Sequence, residues 1–209
     1  MEAMDFQFIF SLLILLMSVV IHEVSHGYVA LLQGDKTAEY AGRLTLNPIR
    51  HIDMIGTILL PALSLMLGGF LFGWAKPVPY NPYNLRNQRW GELYVALAGP
   101  LANVALALIF GLFIRFYIVP AGIIQGPVGM LSSVIVLINV TLALFNLMPI
   151  PPLDGSKIIS AVLPRDFMVI REKIERFGFV GVLIFVVLIW QFIYPLIPWF
   201  FSAITGISL

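Results

Sequence analysis

The chain has 209 residues and no cysteine; 60% of the residues are hydrophobic and 11% charged, with 12 Lys and Arg against 11 Asp and Glu. Soluble domains average about 25% charged residues, so this composition excludes a soluble globular enzyme, a disulfide-stapled secreted domain and a disordered chain. What remains is an all-α polytopic membrane protein, and no basic patch with interleaved aromatics points to nucleic acid.

Five apolar stretches follow one another along the chain, at residues 6–32, 54–72, 93–119, 128–145 and 177–201. Each is near the length of about 20 residues that a helix needs to cross a bilayer. Residues 1–5 carry no Lys or Arg and no small-residue cleavage site follows, so the first stretch is expected to be retained rather than removed as a signal peptide. Polar loops at 33–53, 73–92 and 154–176 hold all but one of the basic residues, Arg115 lying near the turn between the third and fourth stretches. The positive-inside rule puts those three loops in the cytoplasm. The second stretch, interrupted by Pro61 and Gly68-Gly69, must then enter and return rather than cross. Four crossings result, or five if that stretch spans. The loops at 37–46 and 75–81 have a β-like composition and predict short strands at the cytoplasmic mouth. In the third stretch Ala98, Ala102 and Ala105 form a small-residue stripe that predicts close helix contact. Gly99-Pro100 predicts a kink there, and Asn103 a hydrogen bond to a neighbouring helix. With no repeat and no low-complexity linker, the reading is one membrane-embedded domain over 1–209. Its core covers about 6–163, and a C-terminal helix lies at 177–201.

The first stretch contains His22-Glu23-Val24-Ser25-His26, an HExxH. Positions i and i+4 share a helix face, so both imidazoles can reach one metal ion, and Glu23 beside them can take a proton from the attacking water. With three His and six Glu in the chain, chance gives this pattern in roughly one such sequence per thousand. Ionisable groups inside an apolar span are costly unless paired or ligated, which weighs against two incidental core histidines. A catalytic zinc takes three protein ligands and keeps one position open. The third-ligand candidates are His51, Asp53, Glu92 and Asp154. Asp154 is the best, because Pro149, Pro151 and Pro152 must unwind the chain just before it. Its competing role is that of a cap for a short helix beginning at Gly155. His51 reads as a polar residue at the membrane edge, hydrogen-bonded to Asp53 or to backbone, and alternatively as a contact over the site to a metal ligand or to substrate.

Together, HExxH in one span and Asn146-Leu147-Met148-Pro149-Ile150-Pro151-Pro152-Leu153-Asp154-Gly155 in a later one resemble the two signatures of the site-2 protease family of intramembrane zinc metalloproteases. Ala98-Gly99-Pro100-Leu101-Ala102-Asn103 looks like the family's intervening Gly-Pro-x-x-Asn element. The stretches at 42–48 and 73–79 look like a compact prokaryotic branch without a PDZ domain, a nucleotide-sensing domain or a further helix before the first. The resemblance implies one Zn2+ per chain held by His22, His26 and Asp154, with Glu23 as general base. It also implies a substrate or oxyanion role for Asn146, whose plainer role is to satisfy the carbonyls of a helix end. The implied reaction is hydrolysis of peptide bonds in or near the transmembrane segments of single-span proteins, in the plasma membrane of a prokaryote, with the site nearer the cytoplasmic face. From their β-like composition, an exposed edge at 37–46 or 75–81 would take up the unwound substrate by strand addition. The alternative is a metal-ion transporter or channel using the same His, Glu and Asp. Oligomeric state is not legible.

Overall fold

The computed structural model describes residues 2–59, 75–162, 188 and 190–208. Among them the structure is helical. Helix α1 covers Glu2–Leu32, and no proline interrupts it. It ends where Gly34, at φ 101°, turns the chain back: Gly34 N–H donates to Leu31 O and Asp35 N–H to Ala30 O. That pair of bonds satisfies two of the helix's last carbonyls, and glycine adopts the left-handed conformation without a Cβ penalty. A single turn, α2, follows at Thr37–Tyr40. Helix α3, Gly91–Phe113, runs on into a π-helical turn at Ile114–Ile118. Helix α4, Pro127–Asn146, starts with proline at its first position, where the missing N–H costs nothing. Helix α5 covers Asp154–Val162 and α6 covers Leu196–Thr205.

Three helices are long and apolar enough to cross a bilayer: Phe8–Leu32, Gly91–Ile118 and Pro127–Asn146. They match the first, third and fourth apolar stretches. Helix α3 is central and packs against α1, α4, α5 and α6. Its outward positions are large and apolar, Leu101, Ile109 and Leu112 among them, as lipid contact permits. Its buried face carries Ala96, Gly99, Pro100, Asn103, Ala107 and Gly111. That corrects the expected alanine stripe. Ala105 is exposed, and Ala98 and Ala102 are only half-buried. The close approach follows Gly99 and Asn103 instead, because those two residues meet groups from α1. Away from the polar residues, α3, α4 and α6 close on an apolar cluster that includes Ile114, Val136, Val140 and Phe201.

The strands expected at 37–46 and 75–81 do not form; among the described residues there is no strand. The reason is a shortage of backbone donors with free partners. The buried Asp35 carboxylate takes the N–H and the hydroxyl of Thr37, closing α2 rather than extending the chain. In 75–81, Pro77 and Pro79 have no N–H. The N–H groups of Lys76, Val78 and Asn81 go to His51 O, Glu23 Oε2 and Asp35 Oδ2. The segment is tied down by single bonds to other elements instead of by a ladder, and those commitments also leave little of an edge for strand addition.

The second apolar stretch is described only as a π-helical turn at Met54–Leu59; residues 60–74 lie outside the description, as does its expected re-entrance. Its two flanks lie together, since Lys76 N–H donates to His51 O at 2.9 Å. Residues 177–187 and 189 of the fifth stretch, and the basic residues from Arg165 to Arg176, also lie outside. Its end is interrupted at Tyr194-Pro195 before α6 begins.

Candidate metal centre

His22 stands 14 residues after Phe8 and 10 before Leu32, the ends of the apolar span, so it lies about 21 and 15 Å from them along the axis. His26 is one turn further on. The two rings share a face, with centroids 4.7 Å apart and planes at 83°. Asp154 meets them from the start of α5. The chain reaches it through 147–153, where the prolines end α4 and short backbone bonds such as Leu153 N–H to Ile150 O fold the loop tightly. Asp154 is the first residue of α5, and its carboxylate points at the imidazoles. The carboxylate stands where it could hold a metal ion together with the two rings.

Three donor atoms converge. His22 Nε2 lies 3.0 Å from His26 Nε2 and 3.1 Å from Asp154 Oδ2, and His26 Nε2 lies 3.2 Å from the same oxygen. The other ring nitrogens fix what these atoms are. His22 Nδ1–H donates to Asn103 Oδ1 at 2.6 Å, and His26 Nδ1–H donates to Val95 O at 2.6 Å. With Nδ1 carrying its proton, each ring in its neutral form offers the Nε2 lone pair toward the other ring and toward the carboxylate. Three electron-pair donors at this separation repel one another unless a cation sits among them. For zinc at about 2.0–2.1 Å from N and O ligands, tetrahedral geometry sets donor separations of about 3.3 Å. The triangle fits that ion. The three residues are buried but not sealed, at 5, 7 and 7% exposure.

The orientation of Asn103 is itself determined. Its Nδ2 donates to Asn139 Oδ1 at 2.8 Å and to Ser18 O at 3.4 Å, while Asn139 Nδ2 donates to Ser18 Oγ and Ile135 O. One amide oxygen of Asn103 is thus left for His22. The network joins α1, α3 and α4 at one level, and it meets the expectation that Asn103 binds a neighbouring helix. Gly99 lies beneath both imidazoles. A Cβ there would stand 2.5 Å from His22 Nε2 and closer still to His26 Nε2. On the other side, Lys157 Nζ lies 3.8 Å from Asp154 Oδ1, the oxygen not facing the histidines, and over the Tyr80 ring.

Glu23, half-buried, accepts from Val78 N–H through Oε2 at 2.8 Å. The remaining candidates lie elsewhere. Among the described residues only His22, His26 and Asp154 form a ligand group. His51 is buried and donates through Nε2 to Thr45 O, the backbone bond expected of it. Asp53 accepts from Gly56 N–H, and Glu92 from Tyr80 Oη. Asn146 ends α4, with its Nδ2 donating to Leu142 O. The sequence reading overlooked Ser18 and Asn139. Their signal was present: polar residues within spans need partners, and three such residues in three different stretches already suggest one network. Asp35, outside the spans, is held below the usual carboxylate range. Burial opposes its charge, but hydrogen bonds from Thr37, Asn84 and Asn81 outweigh it.

The model of the family described as peptidase family M50 matches residues 10–135 and 118–189. The chain is 38% identical over 175 residues to the "Putative zinc metalloprotease YwhC" of Bacillus subtilis, covering 81% of this chain and 76% of that protein. It is 30% identical over 196 residues to the "Putative zinc metalloprotease Rip2" of Mycolicibacterium smegmatis, covering 92% and 73%. With the "Zinc metalloprotease MJ0392" of Methanocaldococcus jannaschii it shares 26% identity over 155 residues, 74% of this chain and 34% of that one. No solved structure matches the chain.

Proposed function

The chain belongs to peptidase family M50, and we propose that it hydrolyses peptide bonds in or near the transmembrane segments of single-span membrane proteins. It is a membrane zinc metalloprotease of the site-2 type. The observation that carries the mechanism is the meeting of three lone-pair donors from α1 and α5 within 3.0–3.2 Å. His22, His26 and Asp154 hold the ion. When bound, zinc supplies a Lewis acid for the scissile carbonyl and makes water a nucleophile near neutral pH. Asn103 and the Val95 carbonyl keep each imidazole in the tautomer that ligates. Glu23, anchored through Oε2, takes the water's proton at Oε1 and passes it to the leaving amine. For Asn146, the bond to Leu142 O favours the helix-ending role.

The active site opens toward the cytoplasm of a prokaryotic cell, within the plasma membrane. The loops 33–53 and 75–90 carry Lys36, Arg43, Arg50, Lys76, Arg86 and Arg89 and pack together at one end of the bundle, where Arg86 N–H donates to Gln33 O. The joined flanks at His51 and Lys76 support a second stretch that returns to the side it left, giving four crossings in one domain. A transporter is not favoured, because the family match and the similar proteins are those of zinc metalloproteases.

The test uses the purified chain in detergent with a panel of single-span substrates. Glu23→Gln keeps one zinc and loses cleavage, and Asp154→Ala loses both. Cleavage by Glu23→Gln at the wild-type rate, or full zinc in Asp154→Ala, overturns the proposal.

A further inference from the structure

The sequence Lys76-Pro77-Val78-Pro79 has one structural peculiarity. Both Lys76 and Val78 precede a proline and are thereby confined to extended backbone, while Pro77 and Pro79 donate nothing. Val78 therefore carries the one N–H between residues 77 and 79, and that N–H is spent on Glu23 Oε2 at 2.8 Å. Arg43 fixes the segment from the other side. It is 92% buried, being 8% exposed, and it has no carboxylate partner among the described residues. Its guanidinium instead gathers three backbone carbonyls: Nη1 donates to Arg50 O, and Nη2 to Lys76 O at 2.7 Å and Pro77 O at 3.2 Å. The bond from Lys76 N–H to His51 O closes the ring, and His51 in turn donates to Thr45 O.

We propose that Arg43 is a positioning residue for the proton-transfer step: it fastens the carbonyls of 76 and 77 so that the lone Val78 N–H holds one oxygen of Glu23 and leaves the other to face the water. The inference rests on the reading of Glu23 as general base. A buried cation is costly without partners, and a planar fork is the side chain able to serve three carbonyls at once. The zinc ligands are held independently, by Asn103, the Val95 carbonyl and the loop before Asp154. Removing Arg43 therefore separates positioning of the base from binding of the metal.

The experiment compares Arg43→Gln, Arg43→Lys, Arg43→Ala and Val78→Pro with wild type and Glu23→Gln in the full chain, measuring zinc stoichiometry, thermal stability, kcat and KM. Arg43→Gln and Val78→Pro are expected to keep one zinc and to lose kcat by about 10²-fold, the cost of a misplaced group, with KM within about twofold. Lysine restores little, because one ammonium nitrogen stands in for the two guanidinium nitrogens that reach Arg50 O on one side and the carbonyls of 76 and 77 on the other. Ethylguanidinium added to Arg43→Ala restores part of kcat, which a general loosening of the fold does not predict. Val78→Pro deletes the N–H itself and carries the test if the Arg43 variants do not fold. Wild-type kcat in Val78→Pro or Arg43→Gln overturns the proposal. So does a raised KM at unchanged kcat, or the loss of zinc together with activity. If Glu23→Gln cleaves normally, the general-base reading fails first; if it is inactive while the others are unimpaired, the positioning role alone fails.

Discussion

Replacing Gly99 with alanine puts a methyl group where two imidazoles stand. The new Cβ would lie 2.5 Å from His22 Nε2 and Cε1, well inside van der Waals contact. The rings have little room to yield, because His22 is held by Asn103 and His26 by the Val95 carbonyl, each at 2.6 Å. Overpacking of this kind costs about 1–3 kcal/mol. A glycine-to-alanine change within a helix returns about 0.8–1.0 kcal/mol through backbone entropy, so the stability of the metal-free protein is expected to move by less than about 2 kcal/mol. Metal binding has no such compensation. It requires both Nε2 atoms at the separations seen here, and a penalty of about 1–3 kcal/mol raises the zinc dissociation constant about 5- to 150-fold, at about 1.4 kcal/mol per tenfold change. Competition against a chelator of known affinity, with thermal unfolding of the metal-free protein alongside, measures both quantities. Leu101→Ala, two residues away and facing outward, should alter neither. Wild-type zinc affinity in Gly99→Ala would refute the argument that this glycine exists to seat the imidazoles.

Asn103→Ala removes the acceptor that fixes the His22 tautomer. Zinc affinity should fall about 10- to 100-fold, read by the same competition, and the buried Asn139 amide loses a partner at a cost of about 1–3 kcal/mol in stability. Unchanged zinc affinity would mean that the His22 ring orients without Asn103. Asp35→Asn tests the hub that ties 75–84 to the end of α1. Because the folded carboxyl titrates below its ordinary value of about 3.9, its contribution is complete above that value and is lost as pH falls through the lower, folded one. Wild type should therefore unfold at a higher temperature than Asp35→Asn near neutral pH, and the gap should close below about pH 4; a gap independent of pH would assign the effect to packing.

Part of the site is legible in the residues alone. HExxH spacing puts two imidazoles on one face whatever the helix packs against, and the prolines at 149, 151 and 152 must end α4 close to Asp154. The length and apolarity of the first, third and fourth stretches suffice to make them spans. Other expectations failed where local preference needed a distant partner. The residues at 75–81 have strand-like composition, yet two prolines and three N–H groups already engaged elsewhere leave no ladder to form. The small-residue stripe was placed on Ala98, Ala102 and Ala105, whereas the buried face runs through Gly99 and Asn103, because contact with α1 decides which small residues matter.

Residue order alone thus determines that this chain lives in lipid, that His22, Glu23 and His26 share a helix turn, and that the backbone breaks ahead of Asp154, since these follow from hydropathy, helical periodicity and the chemistry of proline. Only the folded chain decides that α1 and α5 meet within 3.1 Å, that Asn103 and Val95 choose the protonated ring nitrogens, and that Arg43 reaches Glu23 through Val78. Each of those is a contact between segments far apart in sequence, and such contacts are selected by the packing of whole helices rather than by any local preference.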